Sequence, residues 1–335
     1  MKRRIVANGI VWLLLLALPW WLPLVGGYTA LGSRVLVYAL GAMGLNILLG
    51  FTGCMSFGEA AYFGLGGYGT GLLLMHVTNN TWAAVIFGML LGGFAAFVFG
   101  PLVMRRRGIY FAMITVAIGQ IFYFVADRWN NLTGGEDGLM GFSRQPLHFG
   151  AATVPLGAVP FYYFVLFFFA IGAGAIALLL YSPLGHTFVA IRENRRRAQF
   201  LGIHVERYVW ASFAIAGLIA GLAGALNALQ NNFMSPANLY WVESGNLVIM
   251  AVLGGMRSFW GPLVGAVIFI AIQDYVSTIF PNNWESFIGI LFIAAVVFFP
   301  NGILGFIRRR ARSVTTTLLP PHAPARETNE PVATA

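Results

Sequence analysis

Two adjacent stretches near the middle of the chain decide the fold. They read FYYFVLFFFAIGAGAIALLLY (residues 161–181) and SPLGHTFVAIRENRRRAQFLGI (residues 182–203). The first has no charged residue and is long enough for a helix that crosses a bilayer, which needs about 20 apolar residues. The second carries one acid, Glu193, and four arginines, Arg192, Arg195, Arg196 and Arg197. Another apolar segment, 208–229, follows, so the order predicts a charged loop between two membrane helices.

The rest of the chain has the same apolar character. Its 335 residues are 59% hydrophobic and 9% charged, whereas an average soluble domain is about 25% charged. We predict ten spans, at 5–25, 31–50, 54–75, 81–104, 108–127, 161–181, 208–229, 240–257, 261–280 and 284–306. The first follows MKRR but lacks a small-residue cleavage site, which favours a membrane helix over a signal peptide. The apolar centre of 240–257 is short, so this segment either crosses or is re-entrant.

The positions of the basic residues predict the orientation. With the N-terminus in the cytoplasm, every Lys and Arg falls at a cytoplasmic position except Arg34, Arg128 and Arg144. Such a bias is the positive-inside pattern of membrane proteins. We therefore predict an all-α polytopic membrane protein with about ten transmembrane helices and both termini cytoplasmic. The membrane domain would cover 1–312, with the cytoplasmic loop 182–207 inside it and a disordered tail at 313–335.

Signatures of enzymes and metal sites are missing from the sequence. No HExxH, GxSxG or CxxC occurs, and the histidines have no metal-ligand spacing. The GxGxxG spacing at Gly64–Gly69 lies inside an apolar span, where small residues favour close helix packing. A nucleotide-binding P-loop needs a lysine, and the single lysine is Lys2. We predict a chain that is not an enzyme and binds no cofactor or metal, so any ATP would be used by another subunit.

Polar residues within the predicted spans are candidates for a translocation path, because burying them in the bilayer is costly. Five residues qualify: Asn46, Glu59, Gln120, Gln273 and Asp274. Glu59 lies close to a predicted cytoplasmic turn, so a structural role beside an arginine is an equal alternative. No basic residue within the spans pairs with these acids, which argues weakly against an ion-coupled transporter.

The charged loop itself predicts one or two short helices. Ser182 suits an N-cap and Pro183 the first helical position, Gly202 suits a C-terminal stop, and Glu193 and Arg197 have the favourable i,i+4 spacing. Two interpretations stay open from the residues alone. The loop is either an amphipathic helix on anionic lipid or a docking element for a cytoplasmic partner.

Several motifs in order resemble one family of membrane proteins. The loop 182–203 resembles the cytoplasmic coupling region of ABC-importer permeases of the branched-chain amino acid (Liv-type) family. The resemblance continues in GLNILLGFTGCMSFGEAAYFGLGGY (44–68), RRRGIYFAMITVAIGQIFY (105–123), TGGEDGL (133–139), FAIAGLIAGLAGAL (213–226), VLGGMRSFWGPLVGA (252–266) and FFPNGILG (298–305). It covers nearly all of the predicted membrane portion.

The resemblance implies partners and a role for the loop. It implies a bacterial inner-membrane subunit paired with a second, similar permease, two cytoplasmic ATP-binding subunits and an extracytoplasmic substrate-binding protein. The implied ATPase-coupling residues are Arg192, Glu193, Asn194, Arg195, Arg196, Arg197 and Gly202. At Arg197, Gln199 and Phe200 this chain departs from the usual family pattern, which makes the loop more basic and bulkier.

The expected function is transport of branched-chain or related amino acids by alternating access, driven by a separate ATPase. An ABC permease for urea, short amides or small organic acids is an alternative. An ATP-independent secondary transporter or channel is another. The sequence does not identify the substrate or say whether the pore is a homodimer or a heterodimer.

Overall fold

A computed structural model describes residues 2–23, 26–149, 152–281, 284–298 and 302–305. The helices are α1 Lys2–Trp21, α2 Thr29–Asn46, α3 Glu59–His76, α4 Thr81–Val103, α5 Ile109–Arg128, α6 Asn130–Thr133, α7 Ala158–Tyr181, α8 Pro183–Glu193, α9 Arg195–Phe200, α10 Val205–Asn231, α11 Trp241–Gly254, α12 Gly261–Ile279 and α13 Trp284–Phe298. A π-helical segment, Ile47–Thr52, continues α2. Strands β1 (Leu147–Phe149) and β2 (Ala152–Val154) form a small antiparallel hairpin. The predicted tail 313–335 lies outside the described residues.

The structure confirms the predicted class, a helical protein that spans a membrane. The ten-span topology stays a prediction. Each predicted span overlaps one of the helices, and six helical segments are long and apolar enough to cross a membrane. These are Thr29–Thr52, α4, α5, α7, α10 and α12. Helix α11 has 14 residues and is therefore about 21 Å long, which is shorter than a hydrocarbon core of about 30 Å.

Helices α2 and α10 form the centre of the bundle. In their most apolar windows, 83% and 72% of the residues are buried, against 28% in α5. Helix α10 packs along α2, α3 and α4. A Cβ at Gly66 would lie 2.1 Å from the carbonyl oxygen of Gly221, and one at Gly224 would lie 1.7 Å from that of Phe63. The glycine-rich stretch that includes Gly66 therefore serves close helix packing, as predicted.

The loop after α5 packs around the C-terminal end of α10. The guanidinium of Arg144 donates hydrogen bonds to the carbonyls of Leu229 (2.6 Å) and Gln230 (2.5 Å). Its Cζ also lies 4.2 Å from the centroid of the Phe161 ring. A cation at a helix C-terminus satisfies carbonyls that have no partner within the helix. This local role accounts for one of the three arginines that depart from the positive-inside pattern.

Candidate functional site

Polar side chains from three helices meet at one end of the bundle. Arg34 lies in the second turn of α2, Glu243 is the third residue of α11, and Gln273 and Asp274 lie near the end of α12. Together with Tyr28 and Tyr38 they form what we call the outer polar cluster. The first turns of α2 and α11 meet the last turns of α12 because α12 runs antiparallel to both across the bundle.

A chain of contacts joins the members of this cluster. The Nη2 of Arg34 donates to the Oε1 of Gln273 at 3.1 Å, and its Cζ lies 5.9 Å from the Tyr38 ring centroid. The Tyr28 hydroxyl donates to the Oδ1 of Asp274 at 2.9 Å. The Tyr38 hydroxyl lies beside the carboxylate of Glu243. The cluster is thus a connected network rather than a set of isolated polar groups.

The charges of the cluster are of both signs and are not neutralised by ion pairing. Arg34, Glu243 and Asp274 are each half-buried. In the part of the chain that the structure describes, the one ion pair within 4.0 Å joins Asp127 and Arg128, at 3.7 Å. Ionisable side chains among apolar helices are costly and mark functional sites. A guanidinium and two carboxylates here can bind groups of opposite charge on one small molecule.

The five predicted path residues do not come together. Gln273 and Asp274 belong to the outer polar cluster, whereas Gln120 lies half-buried on α5. Asn46 is buried, and its Nδ2 donates to the carbonyl of Ser258 at 3.3 Å, which ties the end of α2 to the α11–α12 turn. Glu59 is fully buried at the start of α3.

The surroundings of Glu59 differ from the expected arginine pairing. Its two carboxylate oxygens have no partner in hydrogen-bonding geometry. No arginine among the described residues forms an ion pair with it. The structural alternative for Glu59, a role beside an arginine, thus has no counterpart among the residues that the structure describes.

Sequence reasoning missed Arg34 and Glu243. Arg34 had a usable signal, since it is one of three arginines outside the cytoplasmic positions. Glu243 is an acid at the edge of a weak predicted span, which is an ordinary place for an acid. Its proximity to α2 became visible only in the folded chain.

The predicted coupling loop has two different faces. Phe188, Ile191 and Ala198 are buried, at 0%, 3% and 2% exposure. They hold the loop against the bundle, because α8 packs on α7, α10 and the π-helical end of α2. Phe200 and Leu201 point away, with 90% and 75% exposure. The loop is thus anchored on one side and presents an apolar pair on the other.

The local structure of the loop corrects two expectations. Asn194 is extended (φ −155°, ψ 97°) and ends α8, and its Oδ1 accepts a hydrogen bond from the Arg197 N–H at 2.9 Å. The predicted i,i+4 support between Glu193 and Arg197 is therefore wrong, because the two residues belong to different helices. Ser182 occupies the predicted N-cap position of α8, but its hydroxyl donates to the Leu179 carbonyl at 2.6 Å and accepts no hydrogen bond from the first turn.

Two other predicted features of the loop are confirmed. Pro183 occupies the first turn of α8. Gly202 has φ +83°, and its N–H donates to the carbonyl of Gln199 at 3.0 Å. Positive φ is accessible to glycine at little cost, so Gly202 ends α9 as expected.

Behind the loop lies a cavity of about 200 Å³ that we call the inner arginine cavity. Its lining includes Arg107, Arg192 and Arg195, the π-helical end of α2 and the start of α5. The Nη2 of Arg195 donates to the carbonyl of Met104 at 3.4 Å. The Nη1 of Arg192 and the Nε of Arg195 are buried without a hydrogen-bond partner.

Electrostatics in this cavity disfavour the charged arginines. Burial lowers the pKa of Arg192, and the neighbouring charge of Arg257 lowers it further. Burial also lowers the pKa of Arg195, and Arg107 adds to that effect. The cavity thus concentrates positive charge, and Glu206 offsets it only in part for Arg195.

Comparisons with known proteins agree with the membrane architecture. A family model described as "Branched-chain amino acid transport system / permease component" matches residues 28–296. The chain is 27% identical over 319 residues to the high-affinity branched-chain amino acid transport system permease protein LivM of Escherichia coli K12, covering 89% of this chain and 75% of LivM.

Two further relatives show the breadth of the similarity. The Pseudomonas aeruginosa permease protein BraD, of a high-affinity branched-chain amino acid transport system, is 24% identical over 297 residues, covering 84% of this chain and 94% of BraD. The D-allose transport system permease protein AlsC of Escherichia coli K12 is 26% identical over 244 residues, covering 70% of this chain and 72% of AlsC. No solved structure matches this chain.

Proposed function

Because this chain belongs to the family of branched-chain amino acid transport permease components, we propose that it is the membrane subunit of an ABC importer for branched-chain or related amino acids. The importer would lie in the bacterial cytoplasmic membrane. The chain would cross it about ten times, with both termini in the cytoplasm, in keeping with the arginine distribution. A second permease, two ATP-binding subunits and a soluble binding protein would complete the assembly.

The outer polar cluster is the observation that supports an amino-acid substrate. An α-amino acid carries an ammonium and a carboxylate close together. Arg34 would receive the carboxylate, and Glu243 and Asp274 would receive the ammonium through charge-assisted hydrogen bonds. Sugars, urea and short amides carry neither charge. An organic acid without an amino group has no cation to pair with the two carboxylates. The cluster therefore favours an amino acid over these alternatives and over the D-allose of AlsC.

The coupling loop supplies the link to ATP. Its buried face, with Phe188 and Ile191, joins it to the ends of α2, α7 and α10. Its exposed pair, Phe200 and Leu201, would enter a cleft of the ATPase together with Arg196 and Arg197. Movement of the ATPases would then displace these helices. The bundle would change between a state open to the outside and a state open to the cytoplasm. ATP and the loaded binding protein would drive the change through their different affinities for the two states.

Substrate uptake by the reconstituted importer tests the first part. We expect labelled leucine uptake by the wild type and a loss of about tenfold or more in Arg34→Gln, because a charge-assisted hydrogen bond contributes about 1.5–3 kcal/mol. Arg128→Gln is the matched control, since its side chain is 81% exposed. Transport of D-allose without leucine transport would overturn the amino-acid assignment.

Co-purification tests the coupling. The double variant Phe200→Ala, Leu201→Ala is expected to lose the ATPase subunits during purification from native membranes in mild detergent. Leu178→Ala, Tyr181→Ala is the matched control, because those side chains are 76% and 79% exposed at the end of α7. If wild type brings down no ATPase and the purified chain transports leucine in an ion gradient, a secondary transporter is the correct class.

A further inference from the structure

The inner arginine cavity contains cations and no acid. Arg107, Arg192 and Arg195 line it, and none of its other lining residues is an acid. Glu206 is the acid that acts on Arg195 electrostatically, yet it forms no ion pair within 4.0 Å among the described residues. Like charges this close repel one another, and the repulsion is strongest where water is excluded. An anion from outside the chain would relieve it.

Unpaired hydrogen-bond donors of the lining arginines also indicate a missing anion. The Nη1 of Arg192 and the Nε of Arg195 are both buried and lack an acceptor. A buried charged donor without a partner carries a full desolvation penalty, so nearly all such groups in native proteins find an acceptor. Both donors belong to arginines on neighbouring helices that line the cavity, and an acceptor with several oxygens bound there is the kind of partner they lack.

The start of α5 adds a third, independent contribution. Gly108 lines the cavity and is the N-cap of this 20-residue helix, and no side chain caps the first turn. Gly108 has φ +56°, and a Cβ built there would meet no atom within 4 Å. The space beside Gly108 is therefore open, and a helix N-terminus attracts anions.

We propose that the inner arginine cavity binds a phosphate group. Guanidinium groups match the geometry of phosphate oxygens, and a helix N-terminus favours the same charge. The phosphate would belong to the headgroup of an anionic phospholipid or be free in solution. When bound, it would join the start of α5 and the end of α2 to the coupling loop, and so stiffen the loop. This site does not depend on which solute the protein transports.

The single cysteine makes the proposal directly testable, because Cys54 lines the cavity. The full-length chain is purified in a maltoside detergent, which contains no phosphate. Alkylation of Cys54 by a small maleimide and thermal unfolding are then followed during titration with sodium phosphate. Sodium chloride at equal ionic strength is the control, and phosphatidylglycerol is titrated in a separate arm.

Protection of Cys54 and a higher unfolding temperature are expected for wild type with at least one of the two phosphate sources. Arg107→Gln is expected to bind about tenfold more weakly, since it loses a charge-assisted hydrogen bond. Arg105→Gln is the matched control: it removes the same charge from the same exposed loop but does not line the cavity. Arg107→Lys keeps the charge and separates its effect from a loss of folding.

The outcomes distinguish the source of the phosphate. An effect of phosphatidylglycerol without an effect of free phosphate identifies a lipid headgroup, and the reverse identifies soluble phosphate. The proposal is overturned if neither protects Cys54 nor raises the unfolding temperature of the wild type, or if Arg107→Gln responds as the wild type does. Protection that occurs only in the assembled importer would assign the cavity to an acidic side chain of the ATPase instead.

Discussion

The outer polar cluster and the inner arginine cavity lie at opposite ends of α2, about 30 Å apart by helix rise. The outer cluster mixes one cation with two carboxylates, and its members hydrogen-bond to one another. The inner cavity holds cations alone, with buried donors that lack acceptors. The first contains groups of both signs and suits a guest with both charges. The second is lined by no acid among the described residues, so an anion bound there would complete it.

The largest expected effect comes from detaching the coupling loop. Phe188 is fully buried beneath the loop, and Phe→Ala at such a site costs about 3–5 kcal/mol. We expect Phe188→Ala to abolish leucine-stimulated ATP hydrolysis by the assembled importer and to lower the unfolding temperature of the purified chain without its partners. Phe200→Ala removes a ring that is 90% exposed, and it should leave the unfolding temperature unchanged. Wild-type stability in Phe188→Ala would contradict the anchoring role of this residue.

The second-largest effect is expected at the outer polar cluster, where a substitution should weaken leucine uptake without affecting the ATPase contact. Replacing Glu243 by Gln removes one of the proposed partners of the substrate ammonium, and a charge-assisted hydrogen bond contributes about 1.5–3 kcal/mol. We expect the leucine concentration for half-maximal uptake to rise about tenfold or more, with no change in ATPase co-purification. Glu285→Gln, at an exposed acid in the first turn of α13, is the control. An equal rise in both variants would mean that surface charge, not the cluster, governs uptake.

A smaller effect is expected at the break between α8 and α9. Asn194→Ala removes the N-cap hydrogen bond to the Arg197 N–H, which is worth about 1 kcal/mol. Local opening of α9 should then rise about fivefold, measured as faster trypsin cleavage after Arg195, Arg196 or Arg197. Asn194→Ser should restore resistance, since serine is also a good cap. Faster cleavage in both variants would show that the amide makes another contact.

The smallest effect is expected at the exposed edge of the outer polar cluster. Tyr28→Phe removes the hydrogen bond to Asp274, and because Tyr28 is 50% exposed the net loss should be near the lower limit of about 0.5 kcal/mol. The half-maximal leucine concentration should change less than about threefold. Tyr38→Phe, beside Glu243, should change it more. A larger effect at Tyr28 than at Tyr38 would indicate that the substrate binds nearer to the end of α12 than to Glu243.

Local patterns made much of this architecture predictable. Long apolar runs indicated the membrane helices, because a bilayer demands a continuous apolar length. Pro183 and Gly202 marked the ends of the coupling helices through their own backbone preferences. The pairing of Glu193 with Arg197 failed because the Asn194 side chain competes for the backbone at a helix start. Spacing alone does not show which of two local hydrogen-bonding patterns is more stable.

The sequence by itself therefore determined the helical, membrane-spanning class, the positions of most helices and the charged loop between α7 and α10. It also singled out Gln273 and Asp274 as unusual polar residues. Only the tertiary structure brought Tyr28 to Asp274 across 246 positions of the chain, and joined Arg107 with Arg192 and Arg195 around one cavity. The physical reason is that hydropathy and capping act over a few residues, whereas helix packing decides which distant charges meet.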